Sequence, residues 1–125
     1  MKALLIADTD ASVMSLTRHI KPYGFDIIRY RSAVKAIENL EEIEPDAVFI
    51  SAVDFPRHWK TLTQFMRADA KRDDTLIVLI TDARFSADDA DKAAHLGVQA
   101  IIGEKSRARS LDASGNAPFS SLRIR

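Results

Sequence analysis

Pro45-Asp46-Ala47-Val48-Phe49-Ile50-Ser51 is the stretch whose reading decides the fold. A Pro-Asp break precedes an unbroken apolar run that ends on a small polar residue. Such a run, bounded by turn signals, suits a central strand of a parallel sheet with helices on both faces. In sheets of that kind, chemistry gathers where the strands' carboxyl ends meet loops. Ser51 and its neighbours at the other strand ends are therefore the first residues to question.

Working outward, the same unit repeats on either side. Ala3 to Ala7 reads as a first buried strand, and Asp10 as the cap of a helix over 11–21 with Val13, Leu16, Thr17 and Ile20 on one face. Pro22-Tyr23-Gly24 ends that helix, and Phe25 to Tyr30 reads as a second strand. Ser32 caps a helix carrying Val34, Ile37 and Leu40, which breaks at Pro45. After the third strand and the loop 54–59, a helix follows with Leu62, Phe65 and Met66 inward. Leu76 to Ile80 is a fourth apolar run, and Ser86 with Asp89 has the form of a capping box. Gly97 sits where a helix-ending glycine belongs, and Ala100 to Ile102 is a fifth strand. Strand and helix alternate five times, which predicts an α/β three-layer sandwich with right-handed crossovers. The expected architecture is a flavodoxin-like (βα)5 fold with a parallel sheet of order 2-1-3-4-5.

Composition narrows the function classes. The chain has 125 residues, 46% hydrophobic and 29% charged, enough for one domain with a real core. Its formal net charge of zero gives no global field toward nucleic acid or anionic membrane, so neither DNA nor membrane is an expected partner. Without cysteine there is no disulfide, thiolate or cysteine-ligated zinc chemistry. The apolar stretch at the amino terminus, stopped by Asp8, is too short for a signal peptide or membrane span, and a cytoplasmic location is the expectation. His19, His58 and His95 lie apart without metal-ligand spacing. Trp59 suits either a partner anchor or packing at the core's edge.

The neutral total hides an asymmetry. Beyond residue 105, Arg107, Arg109, Arg123 and Arg125 face one acid, Asp112, a formal +3 balanced by −3 on the rest. This tail is rich in small polar residues, so 1–105 is expected to fold and 106–125 to lack order until a ligand binds. All four tail cations are arginine, whose planar fork pairs with phosphate or with the O6/N7 edge of guanine. Arg109-Ser110-Leu111-Asp112 adds a carboxylate that can accept from a guanine's N1-H and N2-H.

Over residues 1–105 the chain resembles a CheY-like receiver domain of bacterial two-component systems. The residues that carry the resemblance are Leu5-Ile6-Ala7-Asp8-Thr9-Asp10, Pro45 to Ile50, Leu76-Ile77-Val78-Leu79-Ile80-Thr81 and Ala94-His95-Leu96-Gly97-Val98. The resemblance implies phosphoryl transfer to an Asp at the third strand end, two acids holding magnesium, and a hydroxyl and a lysine on the phosphoryl oxygens. A carboxylate accepting phosphate needs that metal and ammonium to neutralise the developing charge. Here the acid pair matches Asp8-Thr9, with Asp10 following, and the acceptor position matches Ser51. Thr81 keeps the hydroxyl, whereas the lysine position matches Glu104, with Lys105 one residue late. The family's switch aromatic matches Ile101. The expectation is a degenerate, non-catalytic pseudo-receiver with no cofactor and no resident magnesium, although Asp8 and Asp10 offer the carboxylates that ion needs. Asp54 as a substitute acceptor is disfavoured, because a three-residue shift changes strand parity.

The R-x-x-D resembles the inhibitory-site motif of diguanylate cyclases, and the whole layout resembles the Cle-type CheY-like cyclic di-GMP effectors. That resemblance implies cyclic di-GMP held by Arg107, Arg109, Ser110, Asp112, Arg123 and Arg125, followed by docking on a protein target such as a flagellar motor switch component. The rivals are a pure protein-interaction module, a weakly phosphorylatable receiver using Asp54 or Asp8, and nonspecific nucleic-acid binding by the tail.

Overall fold

Alternating burial on two faces builds the sheet. A computed structural model describes residues 1–69, 74–103 and 108–110 of the chain. Its elements run β1 (Lys2–Ile6), α1 (Asp10–Ile20), β2 (Asp26–Tyr30), α2 (Ala33–Glu38), α3 (Leu40–Ile43), β3 (Ala47–Ser51), α4 (Trp59–Arg67), β4 (Leu76–Thr81), α5 (Ala87–His95), β5 (Ala100–Gly103) and β6 (Ala108–Ser110). The order across the sheet is β2-β1-β3-β4-β5-β6. The first five strands are parallel in the expected 2-1-3-4-5 arrangement.

Because successive strand residues point to opposite faces, the apolar runs feed two cores. Leu4, Ile6, Val48, Ile50, Ile77 and Leu79 pack with Ala36 and Leu40 of α2–α3, Leu62 and Met66 of α4, and Ala93 of α5. Leu5, Phe49, Val78, Ile80 and Ile102 face the other way and meet Leu16 and Ile20 of α1. Phe25 closes this second core edge-on to Phe49, with ring centroids 5.7 Å apart. Each fully buried Leu, Ile or Phe contributes about 1.5–3 kcal/mol relative to exposure. The continuous apolar run of β3, buried at all five positions, is what places Ser51 inside the protein.

Local signals behave as their chemistry demands, with shifts of a residue or so. Thr9, rather than Asp10, caps α1: its side-chain oxygen accepts from the Ser12 N-H. Ser32 caps α2 as expected, but the helix splits at Asn39 into α2 and α3. The Ser86/Asp89 capping box forms in both directions. Gly97, at φ +89°, follows α5 in the left-handed region, and a Cβ there would meet the Arg67 side chain 2.8 Å away. No helix among the described residues is long and apolar enough to cross a membrane.

After β5 the described chain continues as strand. Ala108–Ser110, inside the stretch expected to lack order without a ligand, pair antiparallel with β5, Ser110 opposite Ala100 and Ala108 opposite Ile102. Glu104, Lys105, Arg107, Asp112, Arg123 and Arg125 lie outside the described residues, and of Arg109 and Ser110 only the backbone is described.

Candidate functional site

The carboxyl ends of β1 and β3 lie side by side, with Ile6 beside Ile50, so the loops after them meet. Three hydroxyls and one carboxylate join there. Ser51, fully buried, has its Oγ 3.0 Å from Ser12 Oγ in the first turn of α1. Ser12 Oγ lies 3.1 Å from Thr9 Oγ1. The Thr9 hydroxyl donates to Asp54 Oδ1 at 3.0 Å, and the other carboxylate oxygen accepts the N-H groups of Asp8 (2.8 Å) and Thr9 (3.0 Å). The Asp54 N-H returns to Ser51 Oγ at 3.0 Å and closes the ring.

An ionised carboxylate only accepts, so one direction in this ring is fixed: the Thr9 proton goes to Asp54 Oδ1. The Ser12 and Ser51 hydroxyls share a hydrogen bond that either can donate. Burial pushes the Asp54 carboxyl upward, but the N-H groups of Thr9 and Asp8 and the hydroxyls of Thr9 and Ser12 together hold it below the ordinary aspartate value of 3.8. A carboxylate so tied is a weak base near neutral pH.

The position of Asp54 corrects the parity argument against it. Strand parity governs only chain that stays extended beyond Ser51. Instead the chain turns at once, with Phe55 N-H donating to the Ser51 carbonyl at 3.0 Å, and the turn swings the carboxylate back over the β1 end. Asp54 is thus a member of the site. It serves as the acceptor that organises the loop after β1.

Asp10 has its own cation. Arg29, at the end of β2, donates to the Ala7 carbonyl (3.3 Å) and the Asp8 carbonyl (3.0 Å), and its guanidinium lies 3.4 Å from Asp10 Oδ1. Arg31 reaches the same carboxylate oxygen at 4.0 Å. Asp10 is well exposed, so these pairs add little stability, but they place a fixed positive charge beside the loop. At the magnesium positions that the resemblance implies, Asp10 lies within 4.0 Å of two guanidinium groups and Ser51 carries no charge. Among the described residues no three His, Cys, Asp or Glu side chains converge on a point where an ion could sit.

The remaining expected members lie on β4, on β5 and in the core. Thr81 ends β4, almost fully buried, and its hydroxyl faces the Ile102 carbonyl at 3.4 Å. Ile101 is buried in β5. Trp59 is only 3% exposed and belongs to the core, tilted against Phe85 at 5.5 Å, so its packing reading holds. His58 and His95 are exposed and far apart in sequence.

The TP_0454_N family model, described as an N-terminal domain, matches residues 1–98. The chain belongs to this family. A protein of Treponema pallidum (strain Nichols), named as an uncharacterized protein, is 43% identical over 102 residues, which are 82% of this chain and 44% of that one. The chain therefore spans less than half the length of the curated relative it matches. Solved receiver structures share the fold. A response regulator from Thermotoga maritima superposes with a TM-score of 0.70 at 17% identity, covering 89% of this chain and 87% of that one. A two-component response regulator from Legionella pneumophila gives 0.71 at 15% identity over 86% and 88%. The chemotaxis response regulator CheY4 of Vibrio cholerae gives 0.69 at 10% identity over 85% and 88%. At such identities the likeness is one of fold.

Proposed function

We propose that this chain is a receiver-fold signalling module that works by docking on a protein without being phosphorylated, and that it catalyses nothing. The observation that carries this reading is the closed ring Ser51–Ser12–Thr9–Asp54. A phosphoryl acceptor needs a free nucleophile facing a metal and an ammonium group. Ser51 offers a buried alcohol whose oxygen accepts from the Asp54 N-H and whose hydroxyl is hydrogen-bonded to that of Ser12. The only carboxylate within the ring already accepts three hydrogen bonds.

The test is a heteronuclear NMR titration with beryllofluoride and magnesium. The expected result is no saturable shift at Asp8, Thr9, Ser51, Asp54 or Thr81. Saturable shifts at those residues, lost in Asp54→Asn, would instead make Asp54 an acceptor.

The arginine-rich sequence after Lys105 supports a second reading, that the module is governed by cyclic di-GMP. Its support is the set Arg107, Arg109, Ser110, Asp112, Arg123 and Arg125, chemically suited to guanine edges and phosphates. A flagellar motor switch component is one target such a module would serve. Calorimetry with the full chain at physiological salt is expected to give a dissociation constant of roughly micromolar order, weakened at least tenfold in Arg109→Ala or Asp112→Ala. Substitutions are preferable to truncation after Lys105, because truncation also removes β6 from the sheet edge. Equal binding of GTP, or none of cyclic di-GMP, would leave docking alone.

A further inference from the structure

The two faces of the sheet are not covered alike. Residues of α2, α3, α4 and α5 all pack on the face of Leu4, Val48 and Ile77. Among the described helices, only α1 packs on the face of Leu5, Phe49, Val78, Ile80 and Ile102. A helix with its side chains is about 10–12 Å wide. Adjacent strands lie about 4.8 Å apart, so the backbones of β1, β3, β4 and β5 spread that face over roughly 14 Å before their own width is added. One helix therefore roofs little more than half of it.

Exposure departs from that expectation on one side. Ile27 pairs with Ala3, shares this face at the β2 edge and is 39% exposed, as an unroofed position should be. At the other side, Ala100 and Ile102 of β5 are both 0% exposed, and Ile80, paired with Ile102, is 2% exposed. β6 flanks β5 in the plane of the sheet, so it does not roof it. Phe25 closes the face beside Phe49, which lies on β3. These exposures are those of a single chain, so the roof over β5 comes from the chain itself. Residues 70–73 and 104–107 are short links between neighbouring elements. Residues 111–125 have both the length and the apolar side chains, Leu111, Phe119, Leu122 and Ile124.

We infer that residues 111–125 fold back across β5 and β4 of their own chain and set Leu122 and Ile124 on Ile80, Ala100 and Ile102. The register of β6 sends the chain the right way. Ser110 lies opposite Ala100, the first residue of β5, so the chain leaves β6 where the parallel strands begin and has the whole length of the face to return over. An extended chain advances up to about 3.3–3.6 Å per residue, so residues 111–118 more than span β5 before Phe119 is reached. In extended chain Leu122 and Ile124 share one side, with Arg123 and Arg125 on the other. The apolar side covers the sheet and the two guanidinium groups are held outward as a fixed cationic pair. This inference stands apart from the docking reading and makes 111–125 part of the folded domain before any ligand arrives.

Nuclear Overhauser contacts in the methyl-labelled, full-length protein test this directly. Contacts from the Leu122 or Ile124 methyls to those of Ile80 or Ile102 are expected, unchanged on dilution. The Leu122→Ser/Ile124→Ser variant is expected to lose them and to bind anilinonaphthalene sulfonate severalfold more strongly, because the β5 face is uncovered. Arg123→Ser/Arg125→Ser is expected to keep the contacts and a low dye signal. The parent's contacts decide the matter should the leucine and isoleucine variant fail to fold. Absence of any contact from residues 111–125 to Ile80 or Ile102 overturns the inference. Contacts found only between differently labelled chains would assign the roof to a second copy and overturn it equally. Dye binding that rises as much in Arg123→Ser/Arg125→Ser would overturn the assignment to the apolar side.

Discussion

Ser51→Asp is expected to lose about 3–5 kcal/mol of folding stability, and millimolar magnesium is expected not to restore it. The change installs the carboxylate that receiver chemistry uses at this position. In this protein the position is fully buried, and its neighbours are one hydroxyl from Ser12 and one N-H from Asp54. Those two groups cannot compensate the desolvation of a charge. The Asp54 carboxylate, held ionised on the adjoining loop, adds repulsion of like sign. Arg29 does not help, because its guanidinium is directed at the Ala7 and Asp8 carbonyls and at Asp10. Urea denaturation with and without magnesium measures the effect. A variant nearly as stable as the parent, or one strongly stabilised by magnesium, would show that the receiver site is one substitution away from working.

Removing the carboxylate from the other end of the ring is expected to cost somewhat less. Asp54→Ala should destabilise by about 2–3 kcal/mol, a drop in melting temperature of roughly 10 °C. Two backbone N-H groups and the Thr9 hydroxyl lose their acceptor together, and the loop that aims Thr9 at α1 loses its anchor. Asp54→Asn, which keeps one oxygen acceptor, should fall between. The pH dependence gives a separate signature. The Asp54 carboxyl is depressed in the folded protein, so the unfolded chain binds its proton first as pH falls. Its contribution is complete above the unfolded aspartate value of about 3.9 and is lost as pH drops through the lower folded value. The parent should therefore lose stability below about pH 4 more steeply than Asp54→Asn. Parallel acid curves for the two would remove Asp54 from this role.

Much of the fold was legible because parallel strands covered on both faces must be apolar without interruption. Ala47–Ser51 and Leu76–Thr81 announce themselves that way, and Ser86 with Asp89 announces the start of α5. What escaped was set by backbone geometry. β6 is Arg and small residues with no apolar alternation, and it is recognised only through its pairing with β5. Asp54 escaped because a parity rule for extended chain does not survive an immediate turn. The substitution at Ser51 was plain in the sequence, whereas its consequence needed distances. Ser12, a helix residue with no motif around it, became visible as a site member only when it lay 3.0 Å from Ser51.

The antiparallel return of β6 reverses the direction in which the chain leaves the sheet. Ser110 stands opposite Ala100, the first residue of β5, and Met1 accepts from Asp26, the first residue of β2. Both outlets of the described body therefore open at the pole from which the parallel strands start. The Asp54 ring occupies the other pole. The backbone at Met1 and at Ser110 is thus set apart from that ring by the length of the parallel strands.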